Sequence, residues 1–299
     1  MRQARWPRPI LVTGMPRSGT TWLARLLASA PGSAMTGREP MNTRGRQFAL
    51  GGTIDGWSRL VEPSTRQQWM LRTSYLGVHP LVFGRYGHRQ WAAPAPWVRK
   101  IVKDPFAMLS MPAITEITGA RSVLIFRPAG AGLVSYRRMG WRADVDEIRP
   151  VVAGFLDQHG LVPGVLPAPP EGCDEVARFG WFWNALYGMA LHDAARLGDD
   201  VVVIAHQDIA QGGEAFGSAL FSHLGLQWGR HAAAELGRED SARPPRDPAT
   251  LHNFDRAPAS VAQEWETKIT PPERDRLELD TQELFNQLRE TAFRPGGAT

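Results

Sequence analysis

The chain has 299 residues, 43% hydrophobic and 21% charged, with 34 Lys and Arg against 30 Asp and Glu and a formal net charge of +4. That apolar content suffices for one large core, so a single domain over 1–299 is expected, and the dispersal of cations among acids argues against a nucleic-acid partner. The single cysteine, Cys173, allows no internal disulfide, no Cys/His cluster has metal-ligand spacing, and no stretch approaches the roughly 18 apolar residues of a membrane span. The expectation is a cytoplasmic protein with no catalytic metal and no transmembrane segment.

Residues 10–22 read Ile-Leu-Val-Thr-Gly-Met-Pro-Arg-Ser-Gly-Thr-Thr-Trp, an apolar run, a small-residue turn and then an amphipathic stretch over 23–30. A strand, a loop and a helix N-terminus in that order present unpaired backbone N–H groups and a partial positive charge to an anion. Further apolar runs bounded by turn signals lie at 98–102, 122–126 and 201–205. Helical patterns fall at 107–118, 129–138, 175–197, 214–224, 259–268 and 273–290. This alternation predicts an α/β fold, a central parallel sheet flanked by helices. Segment 40–97 is rich in Trp, Arg, Gly and Pro, and segment 139–172 reads as loop-like with several Pro and Gly; both are expected to be insertions that cover the acceptor side of a site.

Gly14 and Gly19 have the spacing of a kinase or ATPase P-loop, but Thr20 stands where that motif needs lysine, and no Asp is evident for Mg²⁺. The run from Pro16 to Leu23 instead resembles the 5′-phosphosulfate loop of sulfotransferases that use 3′-phosphoadenosine 5′-phosphosulfate (PAPS), closer to the bacterial and carbohydrate types than to the cytosolic aryl type. Arg17 stands where that family places its loop cation. Arg127, at the end of an apolar run, and Ser135, eight residues on, match in type and spacing the pair that holds the nucleotide 3′-phosphate.

The resemblance implies a site with PAPS as sulfuryl donor and no metal. Its binding residues are Arg17, Ser18, Gly19, Thr20, Thr21, Trp22, Arg127 and Ser135, with Trp22 against the adenine. Lys103 matches the lysine beside the sulfuryl group, or is a solvated strand end. Cytosolic members place a histidine two residues after that lysine, where this chain has Pro105. Carbohydrate-type members use a glutamate past the first helix, and Glu39, in Gly37-Arg38-Glu39-Pro40, fits that pattern as general base. Asp104, His79 and His88 are weaker candidates, and the alternative for Glu39 is a salt bridge to Arg17 or Arg38.

Departures from the family are Ala129-Gly130-Ala131-Gly132, where an acidic residue is common, and His206-Gln207-Asp208 in place of Tyr-Glu-Asp, with Asp208 read as bracing its turn. Residues 259–270, with Trp265, resemble the closing helices, and Arg256 is a candidate phosphate contact. Trp57, Trp69, Trp91, Trp97 and Trp141 suggest sugar stacking or plain core packing. The acceptor is a hydroxyl of a carbohydrate, a glycolipid or a secondary metabolite. A small-molecule kinase and a non-catalytic nucleotide sensor remain the alternative functions.

Overall fold

Strands β1 (Ile10–Thr13), β2 (Ser33–Met35), β3 (Arg99–Lys103), β4 (Arg121–Phe126) and β5 (Val201–Ala205) pair in parallel in the order β2-β3-β1-β4-β5. The computed structural model describes residues 6–84, 86–162, 172–237 and 264–296. Both faces of the sheet are covered, which is why its strands read as continuous apolar runs. Leu11, Val102, Leu124 and Val203 join a core on one face, and Ile10, Val12, Ile101, Val123, Ile125 and Ile204 join a core on the other.

Helices α1 (Thr20–Ala28), α2 (Thr65–Tyr75), α3 (Met111–Thr118), α4 (Ala129–Met139), α5 (Val145–His159) and α6 (Glu175–Leu197) follow the chain. After them come α7 (His206–Gln211), α8 (Gly213–His223), α9 (Arg230–Leu236) and α10 (Pro271–Thr291). Helices α1, α8 and α9 supply the core that holds Ile10, whereas α3, α4, α5, α6 and α10 supply the other. The chain leaves β1 toward β2 at one edge and leaves β4 toward β5 at the opposite edge. The gap between the ends of β1 and β4 is thus the switch point where open parallel sheets bind ligands.

Three expectations are corrected. The stretch 107–118 begins as a 3₁₀ turn, Pro105–Ser110, and becomes α-helical only at Met111. Residues 139–172 are not simply loop, because α5 occupies Val145–His159 despite Pro150; its buried Val145, Ile148, Val152, Phe155 and Leu156 keep the helical spacing. Segment 40–97, for which no element was expected, contains α2, opened by a capping box in which Ser64 and Gln67 satisfy each other's backbone N–H groups. The expected helix over 259–268 lies partly outside the described residues, as does Arg256, and its described part is one 3₁₀ turn, Glu264–Thr267.

One buried ion pair ties the 40–64 segment to the helical layer. The Arg59 guanidinium donates to both carboxylate oxygens of Asp193 on α6, at 2.5 and 2.9 Å, and to the Leu109 carbonyl at 2.9 Å, with the Phe155 ring 5.0 Å beneath it. Both side chains are buried. Removing one partner of such a pair leaves an uncompensated buried charge. Asp193→Ala is therefore expected to lower unfolding stability by about 3–5 kcal/mol in urea denaturation. A loss under about 1 kcal/mol, the range of exposed pairs, would show that water reaches the guanidinium.

Candidate active site

The loop after β1 is shaped by backbone that most side chains resist. Gly14 has φ 144°, and a Cβ there would lie 2.1 Å from the Ile125 carbonyl oxygen on β4. Gly19, at φ 103°, caps α1, and a Cβ on it would lie 2.5 Å from the His206 ring. Arg17 also adopts a left-handed conformation, φ 75°, a strain that persists only where surrounding contacts fix it. Those contacts include the Ser18 N–H donating to the Met15 carbonyl at 3.0 Å and the Met15 N–H donating to the Tyr187 hydroxyl at 3.2 Å. That hydroxyl donates in turn to the Ile125 carbonyl at 3.0 Å.

A cavity of about 960 Å³ opens above this loop. Its walls include Arg17, Gly19, Thr20, Thr21 and Trp22 from the loop and α1, and Arg127 and Ser135 from the end of β4 and from α4. Lys103, at the end of β3, and Glu39, from the loop after β2, line it as well. Of the expected site residues only Ser18 stays out of the wall, buried beneath the loop. Arg17 Nε donates to Ser135 Oγ at 3.0 Å, so two expected anion ligands far apart in sequence meet at one point. Burial and the neighbouring Arg17 push the Arg127 guanidinium down to about 10. Arg17 is lowered as well, by burial and by Arg138. Such crowding of like charges favours an anion between them.

Glu39 pairs with Lys103 and accepts a hydrogen bond from the Asn42 amide. Its partner is thus the lysine, not Arg17 or Arg38. The loop that carries Glu39 is pinned by Asp104, whose Oδ2 accepts the Met41 N–H at 2.5 Å and whose Oδ1 accepts the Phe106 N–H at 3.0 Å. Burial and the nearby Glu39 carboxylate push the Asp104 carboxyl well above the usual range. Asp104 does not reach the cavity wall. His79 is a buried cap whose Nδ1 accepts the Leu81 N–H, and His88 pairs through its backbone with Met35, so neither faces the cavity. Glu39 is the one of the four candidate bases that does.

The tryptophans divide. Trp57 and Trp141 line the cavity, whereas Trp69, Trp91 and Trp97 lie on the outer surface of the 65–98 segment, more than half exposed. Trp57 Nε1 donates to Asp144 at 3.0 Å, and Arg44 pairs with Asp144 and Glu147 at 3.1 and 2.7 Å, so α5 clasps the wall formed by residues 42–57. Sequence reasoning did not single out Arg44, Tyr136, Arg138, Asp144 or Lys268, all in the wall; they are brought there by tertiary packing. Trp265 lines the cavity and packs against Gly130, where a Cβ would lie 2.3 Å from its ring. Asp208 lies within α7 and accepts from Arg289 of α10 at 2.6 Å, so it ties two helices together rather than bracing its own turn.

Two buried polar atoms beside the loop, Trp22 Nε1 and His206 Nδ1, have no hydrogen-bond partner among the described residues. Their rings sit 5.2 Å apart on the same wall. Orphans at a cavity suit a polar ligand such as a nucleotide. Burial and Arg127 hold the His206 imidazole far below its ordinary value, so it stays neutral in the fold. Unfolding then takes up a proton once pH falls below about 6.5, and stability declines on acidification by up to about 1.4 kcal/mol per pH unit from this group. His206→Gln is expected to flatten the decline in stability between about pH 6.5 and 5, measured by urea titration; an unchanged slope would mean that other histidines carry it.

A model described as "Sulfotransferase family" matches residues 9–157, about half of the chain. Among solved structures, the sulfotransferase domain from the curacin biosynthetic pathway is 15% identical, with a TM-score of 0.51 over 93% of this chain and 99% of that one. The sulfotransferase domain of the Synechococcus PCC 7002 olefin synthase is 16% identical, with a TM-score of 0.49 and 97% coverage of each chain. Sulfotransferase STF9 from Mycobacterium avium is 14% identical, with a TM-score of 0.43 over 95% of this chain and 77% of that one. A search of curated protein sequences gives no significant match. The five-stranded parallel sheet with its flanking helices is the fold of the curacin-pathway domain, and with the matching family model it places this chain in the sulfotransferase family.

Proposed function

We propose that the chain transfers a sulfuryl group from PAPS to the hydroxyl of a carbohydrate, glycolipid or secondary metabolite, within the single domain that the sequence suggested. The observation that carries this reading is that Arg17, Ser135 and Arg127 line the same cavity as the Glu39–Lys103 pair, with Arg17 donating to Ser135. The orphaned Trp22 Nε1 beside the loop fits a purine nucleotide there.

The donor, when bound, supplies an activated sulfuryl group whose bond to a phosphate oxygen breaks as the acceptor oxygen bonds to sulfur. Arg127 and Ser135 hold the 3′-phosphate, the forked guanidinium giving two donors and the hydroxyl a third. Arg17 and the N–H groups of residues 18–21 at the start of α1 hold the 5′-phosphate and offset the charge that gathers on the leaving oxygen. Thr20 and Thr21 add hydroxyl donors. Lys103, released from Glu39 as substrates enter, stabilises the sulfuryl oxygens, and Glu39 accepts the acceptor's proton. Asn42 keeps that carboxylate aimed, and Trp57 and Trp141 form the acceptor wall. The work is positioning and charge stabilisation, as in phosphoryl transfer.

Titration calorimetry with adenosine 3′,5′-bisphosphate, ATP and AMP, without magnesium, tests the donor half. Preference for the 3′-phosphate is expected, and Arg127→Ala should weaken it by roughly 1.5–3 kcal/mol, the scale of a charged hydrogen bond. No such preference, or ATP binding that needs magnesium, would favour a kinase instead. Glu39→Gln should retain nucleotide affinity while turnover falls by about 10²–10⁴-fold, the usual contribution of a general base. Full turnover in that variant would remove Glu39 from the chemistry, and an absence of turnover from the wild type with every acceptor class would favour the sensor.

A further inference from the structure

Residues 63–103 contain no Asp or Glu, so all 30 of the chain's carboxylate side chains lie elsewhere, yet this stretch carries seven Lys and Arg and five of the large exposed apolar side chains. Trp91 is 78% exposed, Trp97 76% and Trp69 58%, with Val78 and Leu76 also exposed. Ordinary surfaces show scattered apolar residues, but three largely exposed tryptophans in one segment exceed that background. The chain contacts join them. Trp69 packs edge-on against His79 at 5.8 Å, Trp91 stacks on Phe83 at 5.1 Å, and Gly77, between Leu76 and Val78, lies against Ala93, where an added Cβ would approach that residue's side chain within 2.8 Å.

Arg66, Arg72 and Arg89 are exposed, and no carboxylate among the described residues pairs with them. The carboxylates that flank it in sequence are Glu62, exposed, and Asp104, fully buried, and Glu235 of α9 lies within electrostatic reach of His88. Exposed indole rings among unpaired guanidinium groups match one environment, the headgroup layer of an anionic bilayer. There the rings sit at the polar–apolar boundary and the cations meet lipid phosphates. Among the described residues no helix is long and apolar enough to span a bilayer, so contact is peripheral.

The segment also abuts the base loop. The Gly37 and Arg38 N–H groups donate to the Val82 carbonyl at 2.8 and 2.9 Å, and Arg38 Nε donates to the Phe83 carbonyl at 2.8 Å, beneath the Trp91 ring. Glu39 is the next residue. We infer that the acid-free segment around Trp69, Trp91 and Trp97 is a membrane-docking surface for anionic lipid, seated beside the loop that carries Glu39. This surface does not depend on the donor assignment, because docking is read without turnover.

Flotation of the full chain with phosphatidylcholine vesicles, with and without about one-third phosphatidylglycerol, tests it. Co-flotation with the anionic vesicles only, weakened by salt and accompanied by a blue shift of indole emission, is the expected result. Arg66→Gln and Arg72→Gln should each reduce the partition coefficient roughly fivefold, and the double substitution Trp91→Ser with Trp97→Ser should abolish the blue shift. Urea unfolding of each variant, compared with the wild type, reports whether the fold survives. Equal partition onto neutral and anionic vesicles, no partition at all, or variants that float like the wild type would overturn the inference. So would loss of a concentration-dependent dimer in the tryptophan variant without any vesicle binding, which would assign the surface to a second copy of the chain.

Discussion

The site depends on how closely β1 and β4 approach at their ends. The Gly14 backbone lies so near the Ile125 carbonyl that no side chain fits between them. That approach sets the phosphate loop against the strand whose end carries Arg127. Tyr187, reaching from α6, bridges the same two strands by accepting from Met15 and donating to Ile125. The loop is therefore braced from the sheet and from the helical layer, and Arg17 is held in a backbone conformation it would not adopt alone. This bracing aims the Arg17 guanidinium at α4, where it donates to the Ser135 hydroxyl.

Electrostatics divides the charged residues of the cavity into two groups. Arg17 and Arg127 are both lowered in proton affinity by burial, Arg127 further by Arg17 and Arg17 further by Arg138, an arrangement that an anion relieves. In the second group the charges are matched: Lys103 with Glu39, and Arg44 with Asp144 and Glu147. Asp104 sits beside Lys103 with its oxygens spent on the Met41 and Phe106 N–H groups, which gives it a structural part although its sequence position suggested chemistry.

What was legible in the sequence was what adjacency encodes. The β1 loop and the Arg127–Ser135 run each lie within a few turns of chain, so residue type and spacing sufficed, and α6 matched its expected 175–197 span because its apolar pattern is long. Strand β2 is three residues of Ser-Ala-Met, with no apolar run to mark it. Helix α2 did carry a signal, the Ser64 to Gln67 box, overshadowed by the Gly and Pro around it. In α5, Pro150 outweighed a regular apolar spacing that tertiary packing in fact obeys. The tryptophans shared one composition signal, yet only packing decided that Trp57 and Trp141 face the cavity while Trp69, Trp91 and Trp97 face out.

That division has a physical consequence for the cavity. The loop after β1 and the end of β4 are chain-local motifs on rigid strand ends, so their geometry tolerates little variation. The facing wall is assembled from residues 39–57 and 136–144, held together by the clasp of α5 and by the Arg59–Asp193 pair. Changes in those segments reshape the wall without disturbing the phosphate loop, because no backbone of the loop takes part in the clasp. The geometry of the loop is thereby insulated from that of the wall, to which the acid-free outer surface is tied through Gln67 on Thr53 and through Val82 and Phe83 on Gly37 and Arg38.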